Sequence, residues 1–215
     1  MQKVESVYIT PRVLEYCNTR IPANQRQLYF IKVKEEYIKF NAMYKEWIKK
    51  HGAKKAFQLG IARIDEEQNS AFTPDMQPSC KMGCSHCCHY HVDSQDIEVQ
   101  IIIDHCTTHE IPIDKQYLQE QAKWKGIDIF DHPTHSACVF LKDNKCSIYE
   151  VRPFACRNQY VFSDADICDA KKYKSPNNKV KRGFHFASEV NIAVMLDKDK
   201  SKSGWFVDIL LKLLS

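Results

Sequence analysis

Of the ten cysteines of this 215-residue chain, Cys17 and Cys106 stand alone and the other eight fall in two groups between residues 80 and 168. The first group reads Cys80-Lys-Met-Gly-Cys84-Ser-His-Cys87-Cys88; the second comprises Cys138, Cys146 and Cys156, followed by Cys168. Thiols this dense form disulfides, act as nucleophiles, or ligate metal as thiolates. The opening residues Met1-Gln2-Lys3-Val4-Glu5-Ser6 lack the basic-then-apolar build of a secretory signal, which predicts a cytoplasmic, reducing setting where clustered cysteines bind metal. A nucleophilic role for Cys87 would leave its neighbours without a purpose. The expected ligands are therefore Cys80, Cys84, Cys87, Cys88, Cys138, Cys146, Cys156 and Cys168.

Spacing bears on which metal they hold. Zinc knuckles are built from Cys-x-x-Cys pairs, and only Cys84/Cys87 fits; the downstream cysteines are separated by 7, 9 and 11 residues. Iron–sulfur clusters tolerate irregular spacing, which favours a [4Fe–4S] cluster, with zinc as the alternative. Adjacent Cys87 and Cys88 are expected to point apart, by roughly 100° on a helix, so that either one ligates alone or the two serve separate centres. Arg152 and Arg157 lie beside cluster cysteines and are expected to offset the charge of an anionic thiolate centre. His86, His89 and His91, and more distantly His132 and His135, are further nitrogen donors near the sulfurs.

The triplet Cys80-x3-Cys84-x2-Cys87 has the spacing with which radical S-adenosylmethionine enzymes hold a cube with one open iron. The usual large α/β barrel does not fit. Only 127 residues follow Cys88, glycine is scarce at 6, and no strand–helix alternation is visible.

The two blocks together, Cys80-x3-Cys84-x2-Cys87-Cys88 and Cys138-x-Phe140-Leu141-x4-Cys146-Ser147-Ile148-Tyr149-x2-Arg152-Pro153-x2-Cys156-Arg157, resemble the YkgJ-type cysteine-cluster family, described as zinc- or iron-chelating. The resemblance covers about residues 80–160. It implies metal ligation by Cys80, Cys84, Cys87, Cys88, Cys138, Cys146 and Cys156. The flagellin lysine methylase lies near this family, and similarity to it implies an iron–sulfur cluster working with S-adenosylmethionine.

The elements that must position these residues are mainly helical. Phe30, Val33, Tyr37, Phe40, Tyr44 and Trp47 recur at steps of 3 and 4, which predicts a helix from about Asn24 to His51, interrupted near Gly52 and resumed over Lys54 to Glu67. Further helices are expected from an Asp93 cap to Thr107, from Asp114 to Lys125, and from Gly204 to Leu214. Residues 127–170 follow neither periodicity, as expected where metal organises the chain. The reading is thus a mainly α protein with an irregular cysteine-rich metal-binding centre. It comprises a basic N-terminal helical segment (1–68), a linker (69–79), a cysteine-cluster region (80–170), and a basic loop with a C-terminal helix packing on that same domain (171–215).

Composition narrows the function. No apolar run approaches the length of a membrane span, and neither a phosphate-binding nor a dinucleotide loop is present. Residues 1–60 carry 12 Lys+Arg against 5 Asp+Glu, a net of +7. With Lys171, Lys172, Lys174, Lys179, Lys181 and Arg182, this charge is compatible with a nucleic-acid or acidic protein partner. Two classes follow: an iron–sulfur-dependent transferase or oxidoreductase, or an accessory module in which zinc or a closed cluster is structural.

Overall fold

The computed structural model describes residues 2–4, 7–81, 83–126, 137–169, 184–198 and 203–215. In chain order the elements are β1 (Gln2–Val4), β2 (Val7–Ile9), α1 (Pro11–Arg20), α2 (Arg26–His51), α3 (Ala53–Ser70), β3 (Asp93–Gln95), α4 (Asp96–Thr108), α5 (Lys115–Ala122), β4 (Leu141–Lys142), β5 (Lys145–Cys146), α6 (Phe154–Arg157), α7 (Phe186–Lys198), β6 (Ser203–Trp205) and α8 (Phe206–Leu214). The protein is mainly α. The strands form three two-stranded antiparallel pairs, β1–β2, β3–β6 and β4–β5. No described helix is long and apolar enough to cross a membrane.

The chain folds as two compact units, one of residues 1–73 and 184–200, the other of residues 74–183 and 201–215. In the first, α2 carries the aromatic stripe: Val33, Tyr37, Phe40 and Tyr44 are buried, packed against α3 and α7. Gly52, at φ +79°, ends α2 in a conformation glycine adopts without steric cost. Helix α7, for which the sequence shows no readable period because it is apolar nearly all round, has an unbroken buried run from Ser188 to Met195. Its polar members are paired. Glu189 meets Arg12 at 2.7 Å and receives the Thr10 hydroxyl at 3.1 Å; Asp197 receives the Tyr37 hydroxyl at 2.8 Å; and Asn191 donates to Glu67 at 2.9 Å.

The second unit is built around α4 and α8. Val99, Ile102, Cys106, Leu118, Phe140, Ile148, Phe206, Val207, Ile209 and Leu210 form its apolar core. Helix α4 begins three residues later than the expected Asp93 cap, because 93–95 pair as a strand with 203–205. Gln95 caps it instead, in a reciprocal capping box with Glu98. Asp114 does cap α5, accepting the Tyr117 N–H at 2.9 Å. The closing helix starts at Phe206, its first expected turn being taken up by β6. The basic stretch 171–182, His132 and His135 lie outside the described residues.

Candidate metal centre

Residues 137–169 contain little regular structure, and local devices replace it. Asp143 and Asn144, at φ +49° and +57°, form the two-residue turn of the β4–β5 hairpin, a geometry that Asn and Asp tolerate better than other side chains. Leu141 pairs with Cys146 across it, which brings Cys138 and Cys146 to one end of the hairpin. Phe140 and Ile148 flank the hairpin and are 1% and 2% exposed. Burying each contributes about 1.5–3 kcal/mol, and together they fix the hairpin on the α4–α8 core. The Ser147 N–H and hydroxyl both donate to the Phe140 carbonyl, at 2.9 and 3.0 Å.

Three ties bring the first cysteine segment against the second. The Cys138 N–H donates to the Cys88 carbonyl at 2.7 Å, and the Ser79 N–H to the Val161 carbonyl at 2.8 Å. Between them the Ser85 hydroxyl donates to Asn144 Oδ1 at 3.2 Å. Cys80 Sγ adds a long contact, 3.8 Å, to the Gln159 carbonyl.

The result is a cavity of about 580 Å³ whose wall includes Cys80, Cys84, Cys87, Cys88, Cys138, Cys146 and Cys156. Cys168 does not line it. Its segment packs against the 3-10 turn His86–His89, and its carbonyl accepts the Tyr90 hydroxyl at 2.9 Å. All ten cysteines are free of disulfides. Among the described residues no three His, Cys, Asp or Glu side chains converge as a ready coordination sphere, so the seven cysteines share a wall rather than close a cage.

Burial raises the Cys80, Cys84, Cys138, Cys146 and Cys156 thiols, Cys138 to about 11. Cys87 is raised first by hydrogen bonding to the Cys88 thiol and then by burial. That contact corrects the expectation that the adjacent pair diverges: the tight 3-10 turn swings the two sulfurs together. Cys87 also raises Cys80, Cys84, Cys138, Cys146 and Cys156 electrostatically, which makes it the hub of the group. Neutral thiols crowded this way give up their protons readily only to a cation, and soft sulfur selects zinc or iron. The donor set therefore fits a thiophilic metal centre.

The two arginines differ in role. Arg152 stacks 3.7 Å over the Tyr149 ring and donates to the Tyr149 carbonyl at 2.6 Å; its charge favours the thiolate forms of Cys87, Cys146 and Cys156. Arg157 is 4% exposed. It donates to the Arg152 carbonyl at 3.0 Å and to the Glu150 carbonyl, pinning the loop ahead of Cys156 while lending positive charge to Cys146.

The sequence reading missed Glu98. This carboxylate, 5% exposed, accepts from Ser94 Oγ at 2.9 Å and the Gln95 N–H at 3.0 Å within its own helix start. It also accepts the Phe154 N–H at 2.7 Å, which caps the short helix carrying Cys156. The Gln95-x-x-Glu98 pattern was legible as a capping box; its second duty, 56 residues away, was not. Of the histidines, His91 lines the cavity with its ring 5.1 Å from that of Trp205, and His86 lies 3.7 Å from Asp166.

Residues 79–180 match the family model CxxCxxCC, described as "Putative zinc- or iron-chelating domain". No curated protein and no solved structure matches the chain. The shared wall of seven cysteines and this match agree: residues 79–180, a little under half of the chain, are similar to a zinc- or iron-chelating cysteine-cluster domain.

Proposed function

We propose that the cavity holds an iron–sulfur cluster of the [4Fe–4S] type, with Cys87, Cys138, Cys146 and Cys156 as the inner ligand group and Cys80, Cys84 and Cys88 beside them. The observation that carries this reading is the number of cysteines on one wall. Seven line a cavity of about 580 Å³, whereas a structural zinc takes four ligands within about 2.3 Å. Irregular ligand spacing points the same way. When bound, such a cluster supplies one-electron chemistry or, with one iron left open, a docking point for a cofactor such as S-adenosylmethionine. The chain's own contribution is positional: the 3-10 turn presents Cys87, the hairpin presents Cys138 and Cys146, and Arg152 and Arg157 supply the compensating charge.

Protein purified without oxygen should contain iron and acid-labile sulfide in equal amounts, and Cys87→Ser should lose both. Zinc at one ion per four thiols, with no sulfide, would overturn the reading in favour of a structural zinc module, the alternative that the Cys84-x-x-Cys87 pair supports. The transfer-enzyme reading needs a different ligand set, with Cys80, Cys84 and Cys87 holding the cluster and one iron left open, and rests on their spacing and on room along the wall beside Gln121, whose Oε1 is buried without a hydrogen-bond partner. Adding S-adenosylmethionine to the loaded protein should change the electron paramagnetic resonance of the reduced cluster; an unaltered spectrum removes this reading and leaves the cluster assignment standing. An accessory role contacting a nucleic acid or an acidic protein rests on sequence charge alone, that of the basic N-terminal segment and of the Lys171–Arg182 stretch.

A further inference from the structure

His105 and His109 lie four residues apart at the C-terminal end of α4, on the flank of the helix that does not enter the apolar core. Their ring centroids are 4.2 Å apart with the planes tilted by 45°. The His109 N–H closes the helix on the His105 carbonyl at 2.9 Å, so the backbone beneath both rings is fixed. An i, i+4 histidine pair on one helical face is the arrangement by which two imidazoles reach one metal ion. Such crowding of two basic rings is otherwise unfavourable.

The surroundings favour a cation. The last carbonyls of a helix carry partial negative charge. Asp104, Glu110 and Glu150 are exposed at the same end, and Glu150 belongs to the turn packed on α4 and acts electrostatically on His105. Burial and the neighbouring His109 ring lower the His105 pKa, which keeps that imidazole in the neutral form that ligates. His105 is half-buried and His109 exposed, so an ion can reach both from solvent.

We propose that His105 and His109 form a surface site for a borderline divalent transition-metal ion, of the zinc and nickel class, separate from the cysteine cavity. The two imidazoles supply two positions, and water fills the rest. Among the described residues no third donor completes the sphere, so the site is an exchangeable one rather than a closed structural one. It does not rest on the identity of the cysteine-bound metal.

The test uses the untagged full-length protein, purified with its cysteine centre as it stands, and titrates it with Ni²⁺ by calorimetry. The wild-type chain should show a binding event that weakens by roughly tenfold or more in both His105→Ala and His109→Ala and that persists in His51→Ala, an exposed histidine at the end of α2. The event should also weaken as pH falls through the imidazole range, because protons compete for the same nitrogens. Circular dichroism of the variants shows that α4 is intact, which both exposed-end substitutions should preserve. Equal Ni²⁺ affinity in the wild type and both variants, or no event in the wild type, overturns the proposal.

Discussion

Replacing Glu98 tests how this fold positions Cys156. The carboxylate is almost fully buried and receives three hydrogen bonds, two of them from backbone N–H groups, while the Arg157 guanidinium acts on it electrostatically. Glu98→Ala leaves the Phe154 and Gln95 N–H groups without their acceptor and removes a negative charge that acts on the buried Arg157. Each stranded buried donor costs about 1–3 kcal/mol, two of them about 2–6 kcal/mol together, and the charge lost near Arg157 adds to this. These effects overlap, since they share one carboxylate, so the expected loss is about 3–5 kcal/mol. Glu98→Gln keeps one acceptor oxygen and turns an amide donor towards existing donors, and should lose about 1–3 kcal/mol. Urea unfolding followed by tryptophan fluorescence reads the second unit through Trp124 and Trp205. Metal content of the purified variants reads Cys156, because Phe154 opens the helix that carries it. A loss below about 1 kcal/mol in Glu98→Ala, with metal content unchanged, would refute the claim that this carboxylate organises the second cysteine block.

Three further outcomes are expected. Asn144→Val should destabilise the β4–β5 hairpin by about 1–2 kcal/mol, because φ +57° is strained for a β-branched residue; Asn144→Gly should be tolerated, and equal unfolding midpoints for the two would contradict the turn assignment. Chelation that removes the metal should lower the helical circular dichroism signal and change tryptophan emission, because residues 137–169 have short elements and a wall of thiols in place of a broad core; an unchanged spectrum after verified metal loss would count against this. Burial raises Tyr29 and Tyr37, the latter also through its hydrogen bond to Asp197. Groups raised in the folded state favour folding while they stay protonated and lose that contribution as pH climbs past the ordinary tyrosine value of about 10. The first unit should therefore weaken in strong alkali, and Tyr37→Phe should show a smaller alkaline loss than the wild type.

Helix α2 was legible in the sequence because its apolar, mostly aromatic stripe runs through six residues in five helical steps against a lysine-rich background, and a signal that long survives errors at its ends. Helix α5 was legible because Asp114 is a local cap. Helix α7 was not: a helix buried nearly all round has no polar face to mark its period, and its Glu189 and Asn191 look solvent-exposed until Arg12, Thr10 and Glu67 are placed beside them. The β4–β5 hairpin escaped for the opposite reason, being too short to show alternation.

The sequence by itself determined the chemistry: eight clustered thiols and the blocks around Phe140, Ile148 and Arg152–Arg157 announce a thiolate metal centre, since ligand type is a property of residues. Only tertiary structure decided which sulfurs share a wall. Seven of them do, because hydrogen bonds from Cys138 to Cys88 and from Ser79 to Val161 close loops tens of residues long. It also gave Glu98 its second partner and brought His105 and His109 ring to ring. Those are distances, and a linear string carries distance only where a local rule, such as a cap or a helical repeat, converts spacing into geometry.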